Sequence, residues 1–151
     1  NVLYASLENM FVEALSKLSC GDILPGIPEA LAFLRKQNIP CALFSVSKNT
    51  NVILQKLDLG AAFDAVVDGT DIQHSKPHFE GYLLAAGRIG VDPRLCVMVE
   101  DAQAGLEGAR ALSMRTIGIG ANLPAESADC RLTDTTTLQE TLGDLIRKHN
   151  G

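Results

Sequence analysis

Along most of the chain, short apolar runs alternate with stretches whose apolar residues recur every three to four positions, and that alternation predicts a parallel sheet flanked by helices. Residues 2–19 place Leu3, Leu7, Met10, Phe11, Ala14, Leu15 and Leu18 at helical spacing, before Gly21, Pro25 and Gly26 break the pattern. Pro28 lies in the first turn of a second predicted helix, residues 28–37, which leads into an apolar run at 39–44 suited to a buried strand. A third helix is expected over 51–57. A short strand at 65–67 closes on Asp68-Gly69, a turn pair. After Pro77 a helix extends to about Ile89, and residues 95–99 form the clearest strand of the chain. The Ala- and Gly-rich stretch 102–112 is a helix whose small residues permit close packing on a sheet. Strands at 116–119 and near 130–132, and a last helix marked by Leu138, Leu142, Leu145 and Ile146, complete an α/β, doubly wound (Rossmann-like) parallel sheet with five strands.

A length of 151 residues with 46% hydrophobic content is enough for one compact domain with a core. Thirteen basic against eighteen acidic residues give a net charge of −5, and no Lys/Arg run is long enough to track a nucleic-acid backbone. Nucleic acid is therefore not an expected partner. The apolar stretches fall well short of the roughly 20 residues that span a bilayer, and charges interrupt the first twenty positions. The expectation is a soluble, cytoplasmic protein. Its cysteines, Cys20, Cys41, Cys96 and Cys130, are far apart and form no C-x-x-C, so neither a zinc site nor a redox pair is signalled. Cys41 and Cys96 sit in apolar runs, where a thiol behaves as a small hydrophobe.

In open parallel sheets, ligands bind outside the carboxyl ends of the strands. Three such ends are polar here. The first is Ser45-Val46-Ser47-Lys48-Asn49, which offers hydroxyls, backbone N–H groups, an amide and a cation ahead of a helix. That composition suits a phosphate, although capping is the commoner role of Ser and Asn at such a junction. The second is Ser75-Lys76-Pro77, where proline restrains the lysine backbone to an extended shape. A lone lysine is usually solvated surface. The third is Glu100-Asp101, adjacent carboxylates closing the most apolar strand. Crowded carboxylates repel, and a hard cation such as magnesium relieves them, whereas Asp101 alone reads as a helix N-cap. Taken together, a hydroxyl loop, a lysine and an acidic pair on one sheet suit phosphoryl transfer, in which the protein mainly positions groups and neutralises charge. His74 and His78 flank Lys76 in no recognised ligand spacing and are given no role.

The order Ser45, Lys76, Glu100-Asp101 resembles the second, third and fourth motifs of the haloacid dehalogenase superfamily over about residues 20–135. The phrases Ser45-Val46-Ser47-Lys48-Asn49, Ser75-Lys76-Pro77-His78 and Val99-Glu100-Asp101-Ala102-Gln103-Ala104-Gly105 are similar to those of its β-phosphoglucomutase family. The resemblance implies that Ser45 and the Val46 amide hold a transferring phosphoryl group, and that Ser47, Lys48 and Asn49 grip the second phosphate of a glucose bisphosphate. It further implies that Lys76 pairs with the transferring group and that Glu100 and Asp101 hold Mg2+. The implied reaction interconverts β-glucose 1-phosphate and glucose 6-phosphate. Phe79 stands where the family usually has the second proline of Lys-Pro-x-Pro.

The superfamily's Asp-x-Asp, whose aspartates serve as nucleophile and as general acid and base, does not occur in these 151 residues. Asp68-Gly69-Thr70-Asp71 is spaced differently and reads as a turn. By the family pattern, the missing segment lies upstream or on a second chain. Residues 1–20 would then hold the last helix of a helical cap, and 21–151 a core lacking its first strand. That strand belongs between the ones ending at Ser45 and Glu100, so its loss exposes unpaired backbone and predicts an unstable or aggregation-prone fragment. Two other functions fit the same motifs: a sugar-phosphate phosphatase, and a degenerate, non-catalytic phosphate-binding protein. A receiver-like regulatory domain is opposed by motif order, because its acidic pair would precede the Ser/Thr and Lys.

Overall fold

A computed structural model describes residues 19–151, apart from the side chain of His149. The helix expected over 2–19 therefore lies, but for Ser19, outside the described residues. Ser19 instead caps a 3-10 turn at Cys20–Asp22, its amide donating to the Asp22 carboxylate at 2.9 Å.

Helix α1 (Ile27–Lys36) begins with Pro28 and Glu29 and ends with Arg35 and Lys36, each suited to its end of the helix dipole. Strand β1 (Ala42–Phe44) is shorter than the apolar run that predicts it. Pro40 has no N–H for a ladder, and the Cys41 amide donates to the Asp64 carboxylate at 2.8 Å. Helix α2 (Thr50–Lys56) and strand β2 (Ala65–Val67) follow, then helix α3 (Glu80–Ile89), which Gly90 ends in the left-handed region at φ 68°. Strand β3 (Val97–Glu100) starts later than expected, because Pro93–Leu95 forms a 3-10 turn capped by Asp92. As a result, Glu100 falls within the strand. Helix α4 (Gln103–Ala111), strands β4 (Arg115–Ile119) and β5 (Cys130–Leu132), and helix α5 (Leu138–Asn150) complete the order. None of the described helices is long and apolar enough to cross a membrane.

All five strands run parallel where they pair, as the α/β reading requires, but they form two ladders. Strand β1 pairs with β2, with Phe44 opposite Val67. Strand β4 pairs with both β3 and β5, with Glu100 opposite Gly118. Successive side chains point to opposite faces of a strand, and the core follows that rule. Leu43 packs with Ile53 and Leu54 of α2 and with Leu57 just after it, while Phe44 packs with Val67 and with Tyr82 of α3. Helices α1 and α5 bury Ile27, Ala30, Leu138 and Leu142 against Ile117 and Ile119 of β4. Helix α4 covers the opposite face with Ala109. The layers are thus helices, sheet, helices, as a doubly wound fold demands.

Between β1 and β3 no ladder exists. A cavity of about 510 Å³ opens there instead, lined by Leu43 and Phe44 on one side and by Val97, Met98 and Val99 on the other. Among the described residues, each of these strands presents one unpaired edge to it, a costly state for backbone N–H and C=O groups shielded from water.

Candidate active site

Ser45 follows β1 directly and extends its ladder, its amide donating to the Val67 carbonyl at 2.9 Å. The residue is 0% exposed. Its Oγ accepts the Ser47 amide at 3.1 Å and lies 2.7 Å from the Thr50 hydroxyl. The loop that follows is braced by Gly69, whose amide donates to the Ser47 carbonyl at 3.0 Å and whose missing side chain lets the Val46 carbonyl press against it. Ser47 Oγ accepts the Asn49 amide at 3.0 Å in a tight turn ahead of α2. Asn49 occupies the N-cap position of α2 but makes no capping bond. The Lys48 and Asn49 side chains therefore stand exposed, and Lys48 forms no ion pair among the described residues.

Lys76 spans the opening between the two ladders. Its Nζ donates to Glu100 Oε2 at 2.8 Å and to the Phe44 carbonyl at 3.4 Å, and it rests 4.6 Å from the centroid of the Phe44 ring. This lysine is half-buried and partnered, with its side chain only 12% exposed. Glu100 is also buried. Its Oε1 accepts the amides of Asp101 and Ala102 at 3.0 and 3.2 Å, so both carboxylate oxygens are committed to protein donors. Burial opposes ionisation of Glu100, and the Lys76 ammonium 2.8 Å away favours the carboxylate. Gly105 makes room for this side chain, since a Cβ there would overlap Glu100.

Asp101 differs from its neighbour. Ala102 takes the N-cap position of α4, and Asp101 Oδ1 is buried with no hydrogen-bond partner among the described residues. Burial and the adjacent Glu100 carboxylate push its pKa up to about 7. An orphaned, destabilised carboxylate oxygen is what a hard divalent cation relieves, so the donor set fits Mg2+ through Asp101 more directly than through Glu100.

The structure also gathers residues that the sequence left without a role. Glu80 Oε1 accepts the Gln73 amide and Oε2 accepts the His74 amide and ring Nδ1, all at 2.9 Å. His78 Nδ1 accepts the Glu80 amide at 3.2 Å and its ring stacks on His74, with centroids 4.4 Å apart. Those bonds occupy the carboxylate and the Nδ1 atoms of both rings, which makes the group a clasp closing the loop that carries Lys76. Asp68–Asp71 is the expected turn: Asp68 Oδ1 accepts the Thr70 amide at 2.8 Å, and Asp71 pairs with Arg88 at 3.0 Å.

A parallel α/β fold that gathers a buried serine, a lysine and an acidic pair at its strand ends is a doubly wound protein with polar groups where such folds bind ligands. Residues 4–112 match the haloacid dehalogenase-like hydrolase family, and the chain is a member of it. It is 36% identical to β-phosphoglucomutase of Bacillus subtilis strain 168 over 124 residues, which make up 82% of this chain and 55% of that protein. It is 34% identical to hexitol phosphatase B of Escherichia coli strain K12 over 145 residues, or 94% of this chain and 64% of that one. A solved β-phosphoglucomutase from Clostridium difficile is similar in structure, with a TM-score of 0.85 at 29% identity, covering 91% of this chain and 62% of its own. The chain thus spans between half and two thirds of the length of these relatives.

Proposed function

We propose that the intact protein transfers a phosphoryl group on a sugar phosphate, interconverting β-glucose 1-phosphate and glucose 6-phosphate through a glucose bisphosphate. One observation carries this reading: Lys76 bridges Glu100 and the Phe44 carbonyl next to Ser45, Asp101 Oδ1 is left buried and unpartnered, and the exposed Lys48 and Asn49 side chains make no hydrogen bond or ion pair among the described residues. Ser45 and the Val46 amide hold the transferring phosphoryl group, and Lys76 balances its charge. Ser47, Lys48 and Asn49 grip the second phosphate, a subsite that hydrolysis of a monophosphate does not need. Asp101 and Glu100 would hold Mg2+, with Asp101 the more direct ligand, and Glu100 also orients Lys76. Bound there, the cation would neutralise charge on the phosphoryl oxygens.

The aspartyl nucleophile and its acid-base partner come from an Asp-x-Asp strand outside this chain, upstream or on a second polypeptide. The apolar cavity between β1 and β3 receives that strand, which pairs with both unpaired edges and delivers its aspartates beside Ser45 and Asp101. On this reading residues 1–20 end a helical cap and 21–151 form the core. The test is a coupled assay of the full-length protein with β-glucose 1-phosphate and Mg2+, following glucose 6-phosphate and inorganic phosphate together. Formation of glucose 6-phosphate is the expected result. Phosphate release without it would replace the mutase by a sugar-phosphate phosphatase, the reading favoured by the likeness to hexitol phosphatase B. Binding of Mg2+ and a phosphate analogue with no turnover of either kind would mark a non-catalytic homologue.

A further inference from the structure

We infer that Thr50 is a positioning residue that controls where the Ser45 hydroxyl hydrogen points, an inference that rests on the phosphoryl-transfer reading of this site. Thr50 opens α2, is 2% exposed, and its Oγ1 lies 2.7 Å from Ser45 Oγ and 2.9 Å from the Ser47 carbonyl. A hydroxyl carries one hydrogen and can donate only once. Four groups must therefore share two hydroxyl hydrogens and one amide hydrogen.

Without a phosphoryl group, one arrangement satisfies every member. The Ser47 amide donates to Ser45 Oγ, the Ser45 hydroxyl donates to Thr50 Oγ1, and the Thr50 hydroxyl donates to the Ser47 carbonyl, closing a ring of three bonds. A wholly buried hydroxyl needs such a ring, since an unpaired one is costly away from water. With a phosphoryl oxygen in place, the same heavy atoms support a second arrangement. The Thr50 hydroxyl turns to donate to Ser45 Oγ, and the Ser45 hydrogen is released toward the phosphoryl oxygen. The Ser47 carbonyl is not orphaned by this change, because it keeps the Gly69 amide at 3.0 Å. Only hydrogens rotate. Ser45 Oγ then accepts two hydrogen bonds while donating one to an anion, which polarises its O–H and strengthens the charge-assisted bond.

Valine at position 50 keeps the shape and removes the hydroxyl. Ser45 then loses both the acceptor of its resting hydrogen and the donor that fixes its oxygen. In the full-length protein, Thr50→Val is expected to lower kcat for β-glucose 1-phosphate by about tenfold, the value of one well-placed hydrogen bond, with KM little changed because the second phosphate is gripped elsewhere. Thr50→Ser, which restores the hydroxyl, should recover most of the loss. In a Ser45→Ala background, Thr50→Val should have almost no further effect on kcat, because its target is gone. Thermal unfolding of each variant separates a folding defect from a catalytic one.

An equal loss from Thr50→Val in both backgrounds, or no recovery with serine, would show a packing role only and overturn the inference. A Thr50→Val enzyme with wild-type kcat would do the same while leaving the proposed function standing. A full-length wild-type protein that turns over no sugar phosphate would remove the proposed function and this inference with it.

Discussion

Replacing Gly105 with alanine sets helix propensity against packing at the site. Alanine is favoured over glycine inside a helix by about 0.8–1.0 kcal/mol, and Gly105 lies in the first turn of α4. Its new Cβ, however, would sit 2.5 Å from both Cγ and Cδ of Glu100, and closer still to Oε2. Carbon atoms pack comfortably at roughly 3.5–4.0 Å, so the Glu100 side chain must move by about an ångström. It has nowhere easy to go, being 2% exposed and held by Lys76 at 2.8 Å and by two backbone amides. Overpacking of this kind costs about 1–3 kcal/mol, and separating a buried ion pair by removing one partner costs about 3–5 kcal/mol. Even partial loss of the pair outweighs the propensity gain, for a net destabilisation of about 2 kcal/mol. A domain of this size loses roughly 2–4 °C in Tm per kcal/mol, so thermal unfolding followed by circular dichroism should show a fall of about 4–8 °C. In a Glu100→Ala background the clash disappears, and the same glycine replacement should instead raise Tm slightly. A Gly105→Ala protein as stable as the wild type would refute the packing account of Glu100.

Other perturbations probe separate features. Lys76→Met leaves Glu100 buried without its cation and should destabilise the fold by about 3 kcal/mol, seen as a lower urea midpoint. The Arg88 guanidinium beside Asp71 holds that carboxyl below its ordinary value of 3.8, so the pair stabilises the protein above that pH and ceases to do so as the pH falls through the lower folded-state value. Asp71→Asn should therefore lower Tm at pH 7 by an amount worth less than about 1 kcal/mol, the pair being partly exposed, and have no such effect at strongly acid pH. Burial pushes the Cys41 thiol up to about 11 whereas Cys20 is exposed, so iodoacetamide at pH 8 should label Cys20 well before Cys41 when peptides are mapped by mass.

The elements themselves were legible because this chain punctuates its apolar runs clearly. Strand β5 and the turn after β2 fall where turn chemistry and run length put them, and the parallel pairing follows from the helices between strands. The misplaced boundaries share a local cause: Pro40 and Asp92-Pro93 divert backbone that hydrophobicity alone would assign to strands. The site was legible as a set of residue types but not as a division of labour. Glu100 and Asp101 look alike in sequence, and only packing shows that Lys76 and two amides saturate one while an oxygen of the other is left bare. Thr50 was missed because a threonine at the start of a helix ordinarily serves as a cap. The clasp of His74, His78 and Glu80 was missed because its bonds join a loop to the helix beyond it, which no spacing rule anticipates.

The division of the sheet also bears on where the fold opens first. Strand β4 is flanked on both sides and should hold the slowest-exchanging amides, while β1 and β3, which lead into Ser45 and Asp101, each keep a side open to the cavity among the described residues. The groups proposed for chemistry thus sit along the weakest seam of the fold. On the proposed reading, a strand that closes that seam adds backbone bonds beside Ser45 and Asp101 in a single step. Competence and rigidity then rise and fall together, and mild heat or denaturant should silence such a protein by parting the two ladders before either one melts.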